Sequence, residues 1–122
     1  MTVEFQDLPK DTNAAEGDQV TLNCSVTGGP RPQIAWKKDG ELVMNDTKNT
    51  VTTYSASSRG YTASQLQIRQ VSKDDVAVYS CIAWNRGSIR VTQATVILTG
   101  KFRLICLLCL CFFILYMIQF SF

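Results

Sequence analysis

Asp75-Val76-Ala77-Val78-Tyr79-Ser80-Cys81-Ile82-Ala83-Trp84-Asn85, residues 75–85, is the stretch that decides the fold. From Ala77 onward it alternates: Ala77, Tyr79, Cys81 and Ala83 line one side, and Val78, Ser80, Ile82 and Trp84 the other. A period of two over eight residues is a strand with one face in a core. Upstream, Val20, Leu22, Cys24 and Val26 alternate with Thr21, Asn23 and Ser25, and place Cys24 on a core side in the same way. Between these two strands Gly28-Gly29-Pro30-Arg31-Pro32 interrupts pairing, because proline lacks a donor and glycine takes turn dihedrals cheaply. Ile34 and Trp36 then share an inward face, and Lys38-Asp39-Gly40 signals a turn before a short edge strand over Glu41 to Met44.

Residues 45–63 are polar and read as a weak edge strand with loops, anchored by Val51 and Tyr54. Leu66 and Ile68 point inward on the next strand, Asp74-Asp75 marks a turn, and Asn85-Arg86-Gly87-Ser88 forms a hairpin tip. Ile89 to Leu98 returns as the last strand. No stretch up to residue 99 holds a helical period over a useful length. The class is all-β, with turns at the spacing of a two-sheet sandwich.

Composition narrows function by exclusion. Residues 1–100 carry ten Lys/Arg and ten Asp/Glu, so the net charge of +2 comes from Lys101 and Arg103. A neutral surface of mixed sign lacks the concentrated basic footprint of a nucleic-acid binder. The chain has no histidine, the usual general base, pH switch and metal ligand. No serine, cysteine or lysine nucleophile stands in a pattern with a base, and no cofactor or metal motif is present. Asp74-Asp75 reads as a solvated cap rather than a carboxylate pair. The expectation is a non-enzyme.

Of the five cysteines, Cys24 and Cys81 lie in the alternating region, and Cys106, Cys109 and Cys111 lie in the tail. A bridge between the first two would close a long loop, worth ~4 kcal/mol by chain entropy, and would persist outside the reducing cytosol. Asn23 (Asn-Cys-Ser) and Asn45 (Asn-Asp-Thr) begin tripeptides that accept N-linked glycan in secreted proteins. Such tripeptides are common by chance. The chain opens Met1-Thr2-Val3-Glu4-Phe5, polar from the outset, with no secretory signal pattern.

Assembled in order, these residues resemble the immunoglobulin superfamily, and within it the intermediate-set domains of adhesion molecules and receptor ectodomains. The pattern is Gly17-Asp18-x-Val20-x-Leu22-x-Cys24, then Gly29-Pro30-x-Pro32-x-Ile34-x-Trp36-x-Lys38-Asp39-Gly40, then Leu66-x-Ile68, then Asp75-x-Ala77-x-Tyr79-x-Cys81-x-Ala83-x-Asn85. It covers roughly residues 15–99. The resemblance implies a Greek-key sandwich whose sheets are joined by Cys24 and Cys81, with Trp36 packed on the bridge. It implies that the Tyr79 hydroxyl bonds backbone upstream while Asp75 caps that same turn. One departure is that Gly87 comes one residue earlier than in many members, which leaves the geometry of the last hairpin open.

The domain division expected is 1–99 for the immunoglobulin-like domain, 100–103 for a short basic linker and 104–122 for an apolar tail. Leu104 to Phe122 is nineteen residues, polar only at Gln119 and Ser121, and spans roughly 28 Å as a helix. That suits a single-pass membrane anchor. Against it, Lys101 and Arg103 on the domain side would hold the sandwich in the cytosol by the positive-inside rule. The competing readings are a glycolipid-anchor signal, and translated intron on a truncated gene product. The first would put cleavage near Gly87-Ser88 and cut away the last strand. Cys106-x-x-Cys109-x-Cys111 has metal-like spacing but no polar surroundings to favour thiolates.

Function is sought on the outward side of the Ala77–Trp84 strand. Val78, Ile82 and Trp84 must face away from the core, and apolar residues in a row there point to an interface. The candidate binding face is Val78, Ile82 and Trp84 flanked by Lys37 and Arg90, for another cell-surface or extracellular protein, homophilic or heterophilic. The bland counterpart is Trp84 folded against Ile89 or Val91. At the level of the whole chain, cell-surface recognition competes with a structural spacer in a multi-domain or muscle-type array.

Overall fold

The computed structural model describes residues 2–29, 31–56 and 60–99. Among these residues nine strands run in chain order: β1 (Glu4–Asp7), β2 (Thr12–Ala14), β3 (Val20–Thr27), β4 (Gln33–Lys38), β5 (Glu41–Leu42), β6 (Asn49–Ala56), β7 (Tyr61–Ile68), β8 (Ala77–Trp84) and β9 (Ile89–Leu98). A 3-10 turn, Lys73–Asp75, precedes β8. Four strands form one sheet in the order β1-β3-β7-β6, and five form the other in the order β2-β9-β8-β4-β5. All pairs are antiparallel except β2 with β9, which is parallel. The first segment thus serves both layers: β1 pairs with β3, and after Leu8-Pro9 the chain crosses to pair β2 with the end of β9. This is an immunoglobulin-like β-sandwich.

The core follows the alternation. Val20, Leu22, Cys24, Leu66 and Ile68 from one sheet meet Trp36, Tyr79, Cys81, Ala94 and Val96 from the other. Val3, Val26 and Ala83 close one end as a smaller cluster. Cys24 and Cys81 are joined, with Cα atoms 6.6 Å apart, near the upper limit of the usual range. Trp36 is directly opposite Cys81 in the β4–β8 ladder and is 1% exposed. Its indole N–H donates to Ser64 Oγ at 2.8 Å, which links β4 to β7 across the layers. The Tyr79 hydroxyl donates to the Asp75 carbonyl at 2.9 Å, and Asp75 Oδ2 accepts the Ser72 N–H at 2.9 Å.

Three expectations require correction. Tyr54 is not a core anchor but 64% exposed. Val51 is opposite Leu66 and faces in, and a residue three positions on must then face out. The segment expected to be a weak strand with loops holds β6, a full eight-residue strand paired along the whole of β7. The edge strand after Gly40 ends at Leu42 instead of Met44. The turn before it is as expected, with Asp39 at φ 47° and Gly40 at φ 87° forming a tight Asp-Gly hairpin.

Candidate functional site

The outward face of the five-stranded sheet is built by β4, β8 and β9. Residues directly opposite in a ladder share a face, so the register fixes its composition. Trp84 stands between Gln33 and Ile89, Ile82 between Ala35 and Val91, Ser80 between Lys37 and Gln93, and Val78 beside Thr95. Ile89 and Val91 are 68% and 54% exposed, while Val78 and Ile97 are exposed to a lesser degree. Ile82 and Trp84 are half-buried, each flanked by its neighbours on both sides. The result is an apolar row, Ala35–Ile82–Val91, next to a second row of Gln33, Trp84 and Ile89.

Lys37 takes its expected place on this face, opposite Ser80. Arg90 does not. It pairs with Ala83, whose side chain is fully buried, so Arg90 belongs to the inner side of β9 where the sandwich opens at its end. Ile89 and Val91 replace it as the neighbours of Trp84 and Ile82. The sequence contains the signal for them: a four-residue tip at Asn85–Ser88 pairs Trp84 with Ile89 and Ile82 with Val91 by counting outward.

Beyond Trp84 the face runs into a shallow groove of about 550 Å³ lined by Arg31, Gln33, Trp84, Asn85 and Arg86. Two guanidinium-bearing residues and no acidic one line it. Asn85 organises its rim. Its Oδ1 accepts the backbone N–H groups of Gly87 and Ser88, both at 2.9 Å, and its Nδ2 donates to the Gly29 carbonyl at 3.2 Å. Ser88 Oγ in turn accepts the Val3 N–H at 2.8 Å, tying the hairpin tip to the start of the chain. Arg31 holds a left-handed backbone with φ 50°. Arg31, Arg86, Ile89 and Val91 all lie outside the site expected from the sequence.

The opposite outer face differs sharply. Across β3, β7 and β6 it presents Thr21, Asn23, Ser25 and Thr27, then Tyr61, Ala63, Gln65 and Gln67, then Thr50, Thr52, Tyr54 and Ala56. These three strands present no charge and no aliphatic residue larger than alanine there, and β1 adds acidic Glu4 and Asp7 at the edge, opposite Thr27 and Ser25. Asn23, exposed in mid-strand, accepts a hydrogen bond from Gln65 Nε2 at 3.0 Å. Ser25 of its tripeptide is buried and donates to Asp7 Oδ2 at 2.9 Å. Asn45 is exposed in the loop before β6, where its Oδ1 accepts the Val51 N–H at 2.6 Å.

Among the described residues two ionisable groups are displaced from their ordinary ranges. Burial raises the Tyr79 phenol, and the nearby carboxylates of Asp75 and Asp39 raise it further. The Asp46 carboxyl is lowered chiefly by the backbone N–H groups of Asn49 and Lys48 that it accepts. Asp75 is buried and forms an ion pair of 2.9 Å with Lys48, the residue just before β6. These are structural roles, and none brings a nucleophile to a base. Among the described residues no group of three or more His, Cys, Asp or Glu is placed to hold a metal, and no helix is long and apolar enough to cross a membrane. Residues 100–103, the tail 104–122 and its cysteines lie outside the described residues.

The described residues thus form a disulfide-clasped sandwich with apolar side chains exposed on one outer face. The chain belongs to the immunoglobulin domain family, whose model matches residues 5–85. It is 34% identical over 98 residues to Drosophila melanogaster peroxidasin, covering 80% of this chain and 6% of that protein. It is 38% identical over 85 residues to bovine neural cell adhesion molecule 1, covering 70% of this chain and 9% of that one. The muscle M-line assembly protein unc-89 of Caenorhabditis elegans is 33% identical over 92 residues, 75% of this chain and 1% of its own length. The chain thus spans less than a tenth of these relatives. Among solved structures, the N-terminal Ig1-2 module of the Drosophila receptor protein tyrosine phosphatase DLAR superposes with a TM-score of 0.72 at 27% identity, over 81% of this chain and 50% of that one.

Proposed function

We propose that this chain is a cell-surface recognition module that binds another protein through the outward face of β4, β8 and β9. The observation that carries the reading is the asymmetry of the two outer faces. One is polar, with acidic Glu4 and Asp7 at its β1 edge, whereas the other exposes Ile89, Val91 and Val78 around half-buried Ile82 and Trp84. Exposed apolar side chains in adjoining rows are costly to leave in water and mark an interface. Trp84 beside Arg31 and Arg86 adds the residue types that most often anchor one. The buried Cys24–Cys81 bridge favours an oxidising, extracellular location, and similarity to a neural cell adhesion molecule points the same way. On this reading residues 1–99 are the recognition domain, 100–103 a linker and 104–122 a single-pass anchor.

The test uses the full chain reconstituted in fluorescent vesicles and measures vesicle–vesicle and vesicle–cell binding. The double substitution Ile82→Lys with Val91→Glu should lower binding at least tenfold with thermal stability retained, and Thr21→Lys on the other sheet should leave it unchanged. Equal binding by all three removes the proposal. The spacer reading finds support in the similarity to unc-89. It predicts reduced Cys24 and Cys81 in native cells, which a thiol count after alkylation distinguishes.

A further inference from the structure

We infer that the free edge of β6 is a second contact surface, through which two copies of this chain pair to make one continuous eight-stranded sheet. The inference is independent of the face proposed above and uses the opposite sheet.

The other sheet edges among the described residues are defended. β5 has two residues, β2 has three, and β1 is short, charged at Glu4 and Asp7, and irregular between Phe5 and Asp7. The part of β9 that β2 leaves uncovered carries Arg90, and at its end Asp11 Oδ1 caps the Thr95 N–H at 2.8 Å. Short length, charge and bulges are the usual guards against edge-to-edge pairing. β6 has none of them. Its sequence, Asn49-Thr50-Val51-Thr52-Thr53-Tyr54-Ser55-Ala56, is eight residues long, uncharged, free of proline and rich in strand formers.

The ladder shows how much of this edge is open. The Val51 N–H turns away from β7 and is taken by Asn45 Oδ1, and the Asn49 carbonyl accepts the Asp46 N–H at 2.9 Å. By the two-residue period, the N–H and C=O of Thr53 and Ser55 also turn outward, as does the Val51 carbonyl. None of these five groups has a hydrogen-bond partner among the described residues. An antiparallel two-fold centred on Thr53 satisfies all of them on both copies. Thr53 N–H donates to the Thr53 carbonyl of the other copy, Ser55 N–H donates to its Val51 carbonyl, and the two-fold repeats both bonds. The Ser55 carbonyl takes the Val51 N–H in place of Asn45 Oδ1, and the exposed Asn45 side chain turns aside to admit it. On the outer face Thr52 then lies opposite Tyr54 of the second copy, and no like charges meet.

A second copy is the occupant because its edge is already an ordered strand of matching length. A flexible peptide would make the same few bonds and lose its conformational freedom on binding. The contact is smaller than a standard interface of about 800 Å² per partner, so the dimer belongs to the transient class.

The experiment is sedimentation equilibrium of the full chain in density-matched detergent, up to about 1 mM, with the unsubstituted tail common to every sample. One variant carries Thr52→Lys with Tyr54→Lys, and the other Thr52→Glu with Tyr54→Glu. Both positions are exposed, so circular dichroism should report unchanged folds. The unsubstituted chain should self-associate, and each variant alone should do so at least tenfold more weakly. An equimolar mixture of the two variants should regain association, because only in this register does position 52 of one copy face position 54 of the other, so that opposite charges meet. Self-association that neither variant weakens, a mixture no stronger than its parts, or a monomeric unsubstituted chain overturns the inference. Loss of vesicle binding by the Ile82→Lys, Val91→Glu pair bears on the other face and leaves this outcome untouched.

Discussion

The hydrogen bond between Trp36 and Ser64 supplies a quantitative test of how the sandwich is held beside its disulfide. Both residues are buried, the indole N–H donates at 2.8 Å, and Ser64 Oγ also lies 3.2 Å from the Thr53 hydroxyl. Ser64→Ala leaves the indole N–H in the core without an acceptor, which costs about 1–3 kcal/mol. Thr53 is exposed, so water replaces its lost partner at little cost. Trp36→Phe removes the donor together with part of the ring and should cost about 2–4 kcal/mol through lost packing. In the Trp36→Phe background Ser64→Ala has no buried donor to strand and should cost under about 0.5 kcal/mol. The coupling between the two sites is then about 0.5–3 kcal/mol, against a scatter of about 0.3–0.5 kcal/mol for independent positions. Urea denaturation of the four proteins measures it, with each kcal/mol also worth about 4–8 °C in melting temperature for a domain of this size. If Ser64→Ala costs the same in both backgrounds, the bond contributes nothing specific, and the packing of Trp36 alone explains its burial.

Two further outcomes follow from the geometry. The Tyr79 phenol is raised above its ordinary 10.0 in the folded state, so its contribution to stability is complete below that value and is lost as pH rises through the folded one. Absorbance at 295 nm should show this phenol ionising only with unfolding, and Tyr79→Phe should flatten the alkaline part of the pH–stability curve; a Tyr79 titrating near 10 in the native protein contradicts the burial argument. Gly28 holds φ +145°, and a Cβ there would lie 2.9 Å from the Thr2 carbonyl oxygen and 3.0 Å from Val3 Cα, whereas a Cβ on Gly17, at φ +92°, meets nothing within 4 Å. Gly28→Ala should therefore destabilise by about 1–3 kcal/mol more than Gly17→Ala in thermal melts, and equal losses would show that backbone strain alone decides both.

Particular residues show where sequence reasoning succeeds and where it stops. The alternation around Cys24 and Cys81 puts both in a core, and the strand ends at Trp84 and Leu98 coincide with those expected. Tyr54 is misplaced when apolar character overrides parity with Val51, since period two permits only one of them to face inward. Arg90 stands beside Trp84 only if its charge is weighed without counting across the hairpin. The exposed polar strand β6 is undervalued because an edge strand buries little, and its hydrophobic signal is weak even where its pairing is complete. The crossing from β1 to β2 is invisible, since three- and four-residue strands leave no periodicity to detect.

What the amino-acid order settled by itself is whatever depends on neighbours two residues apart: which side chains enter the core and where the chain must turn. Pairing across strands depends on residues far apart in the chain. Only the folded molecule decided that Ser64 meets the indole, that Lys48 reaches Asp75, that Arg31 and Arg86 flank Trp84, and that β6 is a sheet edge left open beyond the Val51 N–H. Local alternation is written into each strand by backbone geometry, whereas register is fixed by the collective packing of two sheets and has no local signature.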